Sequence, residues 1–406
     1  MRVSTAQFYM QSALQMGSKS SELNEQVGYL SSGKSVLTAK DDAIQYGTLA
    51  GYNNDLASIE IYQRNIIQAE SQNNVQDIVY SDIEDLLNNI QEQLIKANNG
   101  AMTDEDLGAI AMETQSTLEQ ILDLANSQDE NGNYIFSGYQ TSQQPFSQST
   151  DGSVSYNGDS GVRELQIAKN ISIETNQSGD AVFMNIPNDI GDFIPTYPST
   201  TPNESGMALA SATVSDRSAY NTSATPHDYT FDFDATTADL TITNSAGTTT
   251  TFAVADYEGG QTITFDGIDV TLSGNPLPGE SFTMGEQEEV SIFDTLNQAI
   301  AWMDQGSDNA NTAQSQADYN AIFEQLGSTM SHITSRRVDS GIRLQVLDSQ
   351  ESRHLDTELS LATNISAIED LDFTKAITDF EQMQLALQAS QQAFSSVQGL
   401  SLFNYI

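Results

Sequence analysis

Both ends of the chain carry a seven-residue apolar repeat. Near the start, Tyr9, Ala13, Met16, Ser20, Leu23, Val27 and Leu30 recur at alternating spacings of four and three. Near the finish, Phe373, Ala376, Phe380, Met383, Leu387, Ser390, Phe394, Val397 and Ser401 alternate three and four. Such a repeat puts one narrow seam on a helix, and a seam packs against another helix. The chain ends are therefore expected to meet, with the middle leaving that junction and returning to it. Burial along one seam is weak: about five sizeable apolar groups on the first helix give roughly 1.5–3 kcal/mol each. Ordering its ~25 residues costs on the order of 25–50 kcal/mol of backbone entropy. Helical hydrogen bonding recovers only part of that, and two helices cannot bury each other fully. The terminal helices are expected to be disordered in the monomer and to order in an assembly. Its interface would use Met16, Leu23, Val27, Leu30, Phe380, Met383, Leu387, Phe394 and Val397.

Charge narrows the partners. The 406 residues include 56 acidic and 14 basic side chains, a net charge of -42. Nucleic acid binding needs clustered Lys and Arg, and this surface would repel phosphate. Anionic membrane surfaces are disfavoured for the same reason. Cysteine is absent, which removes disulfides, thiolate catalysis and zinc–thiolate sites, and leaves a chain that can be threaded unfolded without reduction. The first eighteen residues are amphipathic without a continuous apolar stretch, so a cleavable signal peptide is not expected. No run of 18 apolar residues predicts membrane insertion.

Along the chain the pattern runs helix, strand, helix. Leu30–Lys34 and Asp41-Asp42 read as a turn after the first helix. A long helix follows, with Tyr62, Ile66, Ala69, Tyr80, Ile83, Leu87, Ile90, Leu94 and Ala97 near one seam, interrupted by the polar Asn73 and Gln76. Thr103 with Asp106 and Ser291 with Asp294 are spaced as capping boxes. Strands are expected at 133–138, 153–158, 165–167 and 171–174. A Thr-rich β region follows at 229–233, 240–243, 250–254, 262–265 and 270–272. A last long helix runs from about Tyr319 towards Leu359. The expected fold is mainly α, with long helices in a coiled-coil rod formed by both chain ends and an inserted all-β domain. The domains are discontinuous: residues 1–42 with 366–406 as terminal coiled-coil segments, 43–184 with 288–365 as a helical rod carrying a β-hairpin region at 130–184, and 185–287 as an outer β domain.

Several short motifs then become specific by their order. Met1-Arg2-Val3-Ser4-Thr5 opens the chain and Ser401-Leu402-Phe403-Asn404-Tyr405-Ile406 closes it. Between them lie Leu30-Ser31-Ser32-Gly33-Lys34, Lys40-Asp41-Asp42, Ala97-Asn98-Asn99-Gly100, Leu124-Ala125-Asn126, Tyr134–Gly138 and Pro145-Phe146. This set resembles the bacterial flagellin superfamily, in particular its hook–filament junction proteins, over residues 1–183 and 288–406. The resemblance implies an inner tube of paired terminal helices, a middle helical shell and an outward β domain. It implies that Ser31, Ser32, Gly33, Asp41 and Asp42 form the turn between the inner and middle shells. It also implies export as an unfolded chain through the flagellar type III channel to the extracellular flagellum. Hook-associated protein 1, flagellin and copies of the chain itself would be its neighbours. An export chaperone would contact Leu400, Leu402 and Phe403. Thr38-Ala39-Lys40 before the Asp pair is more flagellin-like than junction-like, so a filament subunit is the alternative, with an adhesin acting through the β insert as a more distant one.

The residues that could carry chemistry have plainer readings. Gly158-Asp159-Ser160-Gly161 resembles a serine-protease nucleophile loop, but His227, His332 and His354 all lie downstream with no supporting motif, so a tight turn is expected. Asp129-Glu130-Asn131-Gly132-Asn133 has acidic spacing faintly like a calcium loop and lacks its turn glycine and closing Glu. Asp232, Asp234, Asp266 and Asp269 read as solvated turn carboxylates. Arg336, Arg337, Arg343 and Arg353 are expected to pair with carboxylates across the rod, the alternative being a role in register between subunits. No enzyme, cofactor or metal site is expected.

Overall fold

The computed structural model describes residues 2–198, 204–306 and 312–403. They form two compact units, Met1–Arg64 with Ser349–Ile406, and Asn65–Asp348. The first unit contains α1 (Arg2–Ser32), the start of α2 (Ala43–Ala97), the end of α7 (Ala313–Glu369) and α8 (Phe373–Phe403). Neither α2 nor α7 contains proline, so nothing interrupts their hydrogen-bond ladders. Their apolar residues recur at helical spacing: Ile83, Leu87, Ile90 and Leu94 on α2 are wholly buried.

In the second unit these side chains meet α3 (Asp104–Ala125) and α6 (Ile292–Asp304). Thr103 closes a reciprocal capping box with Asp106 at the start of α3, as its spacing predicts. At α6, the Ser291 hydroxyl accepts from the Asp294 amide at 2.9 Å. Leu118, Ile121, Phe293, Leu296 and Trp302 complete one core with the α2 seam. The Trp302 indole N–H is satisfied by the Ser315 carbonyl and hydroxyl, each at 2.9 Å. At one end of that core an aromatic group forms. Phe183 meets Phe136 and Phe146 edge-on, with ring centroids 5.0 and 5.3 Å apart.

Phe183 sits on a single π-helical turn, Asp180–Met184. His332 of α7 anchors this turn by donating from Nε2 to the Ala181 carbonyl at 3.0 Å. That bond fixes the tautomer, so Arg336 Nε at 3.4 Å faces an N–H and is not a second partner. Burial, partly opposed by the Ala181 bond, holds the His332 pKa below the ordinary imidazole value. The unfolded chain therefore binds this proton more readily, and the contribution is fully present above about pH 6.5 and lost as pH falls further. Thermal melting from pH 7 to 5.5 is expected to show a shallower decline in His332→Gln than in the parent. An identical decline would remove His332 from the acid response.

Two antiparallel hairpins flank the helices: β1 (Phe146–Gln148) with β2 (Val154–Tyr156), and β3 (Glu164–Ala168) with β4 (Ile171–Glu174). Residues 133–138 are not a strand. Ile135, Phe136, Ser137 and Gly138 are all buried in succession, and Gly138 has φ +71°. The chain runs there as turns, with a single bridge from Tyr134 to Gln128.

The inserted β domain is entered by β5 (Ile186–Pro187) and left by β14 (Glu289–Val290), which pair with each other. Between them lie β6 (Phe193–Thr196), β7 (Ala208–Val214), β8 (Tyr229–Phe233), β9 (Leu240–Asn244), β10 (Thr249–Phe252), β11 (Thr262–Phe265), β12 (Ile268–Ser273) and β13 (Ser281–Glu286). Two short helices, α4 (Arg217–Thr222) and α5 (Val254–Tyr257), interrupt them. One sheet has the order β10-β9-β8-β13-β6 and the other β11-β12-β7. Phe231 lies opposite Phe282, stacked at 4.3 Å, and Phe265 packs edge-on to Phe231 at 5.8 Å. The neck is pinned to α7: Gln325 accepts from the Asp189 amide at 2.9 Å and donates to the Pro187 carbonyl at 3.3 Å.

Candidate assembly interface

The first unit contains the turn and the terminal helices singled out in the sequence. Helix α1 stops because Gly33 takes φ +70° while its N–H still reaches the Tyr29 carbonyl at 2.9 Å. The chain then pairs briefly with the α7–α8 link. Ser35 N donates to Glu369 O at 2.6 Å, Leu371 N to Gly33 O at 3.0 Å, and Lys34 forms an ion pair with Glu369. Asp41 folds the next loop by accepting from the Leu37 and Thr38 amides at 3.0 and 2.8 Å. The Tyr29 hydroxyl and then the Thr38 amide hold the Asp41 carboxyl below its usual range. Burial, reinforced by Asp41, pushes the Tyr29 hydroxyl up to about 12. Asp42 caps α2 through Oδ1, which accepts from Ile44 and Gln45 amides, both at 2.9 Å. Asp372 does the same for α8. Ser32 accepts from the Lys34 amide at 3.3 Å, and Ser31 is exposed.

Helices α1 and α8 lie side by side, with Tyr9 edge-on to Phe394 at 5.7 Å. Met16, Leu23, Leu30, Phe380, Met383, Leu387 and Phe394 are half-buried along this contact, and Ala376 is buried. Val27 is not on it and stays 45% exposed. Ser12, Lys19 and Gln26 are half-buried, whereas Ala13, Ser20 and Val27 are exposed. The two settings of a three–four repeat share Tyr9, Met16, Leu23 and Leu30 and differ by one residue in between. Gln26 decides it by donating to the Ala376 carbonyl at 3.1 Å, which turns Val27 about 100° away. The side chains of Val397, Leu400, Leu402 and Phe403 lie outside the described ones. No described side chain of α1 is fully buried.

Against known proteins, the bacterial flagellin N-terminal helical region matches residues 3–141 and the flagellin C-terminal helical region matches residues 323–406. Together they account for more than half of the chain. Flagellar hook-associated protein 3 of Escherichia coli is 24% identical over 99% of both chains, and that of Salmonella typhimurium 21% over the same shares. The crystal structure of hook-associated protein 3 from Legionella pneumophila superposes with a TM-score of 0.66 at 28% identity. It covers 78% of this chain and 98% of the other. By its two terminal regions the chain belongs to the bacterial flagellin family. Its insert has a relative too: residues 199–285 match the D2-like domain of flagellar hook-associated protein 1, a likeness no short motif in the sequence disclosed.

The remaining candidates in this hook-associated protein 3 relative are structural. Ser160 donates to Asp180 at the start of the π-helical turn, and Tyr156 reaches the Asp159 and Phe136 carbonyls at 2.8 and 3.0 Å. His227 instead stacks on Tyr220 at 3.9 Å, His332 holds the π-turn, and His354 is buried against Tyr62 at 5.7 Å. The Asp129 carboxylate accepts from the Asn131 and Asn133 amides of its own loop, both at 2.9 Å. Among the described residues, no three acidic or histidine side chains gather as a metal would need. In the insert, Asp234 accepts from the Thr236 and Thr237 amides, while Thr264 donates to Asp269. Two of the four arginines pair within the chain: Arg337 with Asp77 and Glu84 at 3.2 and 2.6 Å, and Arg343 with Glu174.

Proposed function

We propose that the chain is a non-enzymatic structural subunit of the junction between flagellar hook and filament, assembling by ordering of its terminal helices on neighbouring copies. The observation that carries this is the partial burial of the α1–α8 pair. With Met10, Leu14 and Leu385 each about two-thirds exposed, the pair leaves much of its apolar surface to be covered by something else. Helix α1 has a second uncharged stripe, Met10, Leu14, Gly17, Ser21, Asn24 and Gly28, spaced four and three like the seam but facing away from it. Gly17 has nothing within 4 Å of where a Cβ would stand, so a further helix can approach closely there. A helix with two such stripes is suited to sit between helices. The cysteine-free composition agrees with export as an unfolded chain, through the flagellar type III channel to the cell exterior. Hook-associated protein 1 on one side and flagellin on the other are the proposed neighbours, and an export chaperone is the proposed partner of Leu400, Leu402 and Phe403.

Hydrogen exchange tests it. Amides of residues 5–30 are expected to exchange rapidly in the isolated protein and to gain about a hundredfold protection or more in an assembled layer on purified hooks. Strong protection of those amides in the free protein would remove assembly-coupled ordering. A layer that extends into long filaments would make the chain a filament subunit.

A further inference from the structure

Charge is distributed unevenly along the helical part of the second unit. Residues 65–81 of α2, 163–178 around the β3–β4 hairpin and 331–347 of α7 together hold five cations and five carboxylates, in a chain of net charge -42. The three segments form one layer. Ile66 and Ala69 of α2, Ile167 and Ile173 of the hairpin, and Leu347 of α7 share a buried core. Asn73 Nδ2 donates to Glu174 O at 3.2 Å, Gln177 to Arg336 O at 3.0 Å, and Ser340 to Asn73 O at 3.0 Å. Two of the arginine charges are met at the layer, Arg337 by Asp77 within it and by Glu84 one turn beyond it, and Arg343 by Glu174.

This neutral belt also exposes apolar side chains in rows. On α7, Val338, Ile342 and Val346 stand four residues apart, so they form one ridge, at 54%, 54% and 43% exposure. At the same level α2 presents Ile67 and Ile78, 61% and 60% exposed, with the uncharged Ser71 and Asn74 between them. A large apolar side chain left in water at one position is ordinary; five in a belt free of net charge are not.

We infer that the belt is the lateral packing surface for a second copy of this chain, the α7 ridge of one copy lying against the α2 stripe of the next. This rests on the junction reading above. Two identical chains each carrying -42 repel wherever their acidic surfaces approach, so close contact between copies is least opposed where the charges already cancel. A foreign cationic partner would be drawn to the acidic remainder instead. Two different stripes on one molecule also suit the head-to-tail contact from which closed rings are built.

The absence of native cysteine gives a clean test. Full-length Ile78→Cys/Ile342→Cys protein is layered onto purified hooks and oxidised, with Met112→Cys/Leu277→Cys as an exposed control pair outside the belt. A ladder of covalent multimers from the first pair and none from the second is the expected result. In parallel, Ile342→Lys is expected to leave the melting temperature of the free chain unchanged while decorating about tenfold fewer hooks or less, since it places an unpaired charge inside the contact. A layer of normal occupancy that gives no ladder, or that tolerates Ile342→Lys, overturns the belt and leaves the junction reading standing. Failure of the parent chain to form any layer overturns both.

Discussion

Replacing Phe183 by alanine is expected to destabilise the second unit by about 3–5 kcal/mol, the range for removing a fully buried aromatic side chain. Phe183 has no solvent exposure and touches Phe136, Phe146 and Phe293, with ring centroids 5.0, 5.3 and 6.3 Å away. Those three rings come from three separate stretches of chain, so none can move into the vacated space without dragging its own backbone. Collapse is further restricted because Phe183 sits on a π-turn whose Ala181 carbonyl is held by His332. A loss of that size lowers the melting temperature of a unit this large on the order of 10 °C. Met112→Ala, at a side chain 71% exposed, is expected to move it by less than about 0.5 kcal/mol. Equal melting temperatures for the two variants would mean that the aromatic group repacks and does not organise the junction of hairpin, turn and helices.

The long helices and the Thr-rich strands were legible because one period dominates each of them. Tyr229–Phe233 and Thr262–Phe265 fall where alternation places them, and Asn73 and Gln76 do not break α2. The side-chain N–H groups of both donate to the hairpin side, to the Glu174 and Thr175 carbonyls, which no reading of α2 alone can reveal. Residues 133–138 misled because Tyr, Ile and Phe favour strands, whereas tertiary burial on all sides set their conformation. Strand β13 had no turn signal at its start beyond Gly279, and β6 contains Pro195, so neither stood out. The seam of α1 was legible to within one residue at every second position. Its setting depends on Gln26 reaching a carbonyl 350 positions away, and local periodicity carries no record of that. The belt was hidden for the opposite reason: composition reports a sum, and a neutral patch within a charge of -42 appears only when three distant segments are brought together.

A carboxylate in the terminal seam is expected to separate folding from assembly. In Leu23→Asp/Leu387→Asp both changes fall on half-buried positions of the α1–α8 contact, and no described side chain of α1 is fully buried. The free chain therefore has little to lose there, and its main melting transition, set by the cores of the second unit, is expected to shift by less than about 1 kcal/mol. Assembly is different, because neighbouring helices would remove water from both sides of α1 at once. An unpaired buried carboxylate then costs about 3–5 kcal/mol, which is a loss of roughly two to nearly four orders of magnitude in binding. Hook decoration followed by electron microscopy, beside a thermal melt of the same preparation, reads the two quantities independently. A variant that melts normally and no longer decorates hooks places the work of these helices between copies. A variant that loses several degrees of melting temperature and decorates in proportion would mean that the α1–α8 pair is already a finished fold in the monomer, and the second stripe through Met10, Leu14 and Gly17 would then have no neighbour to meet.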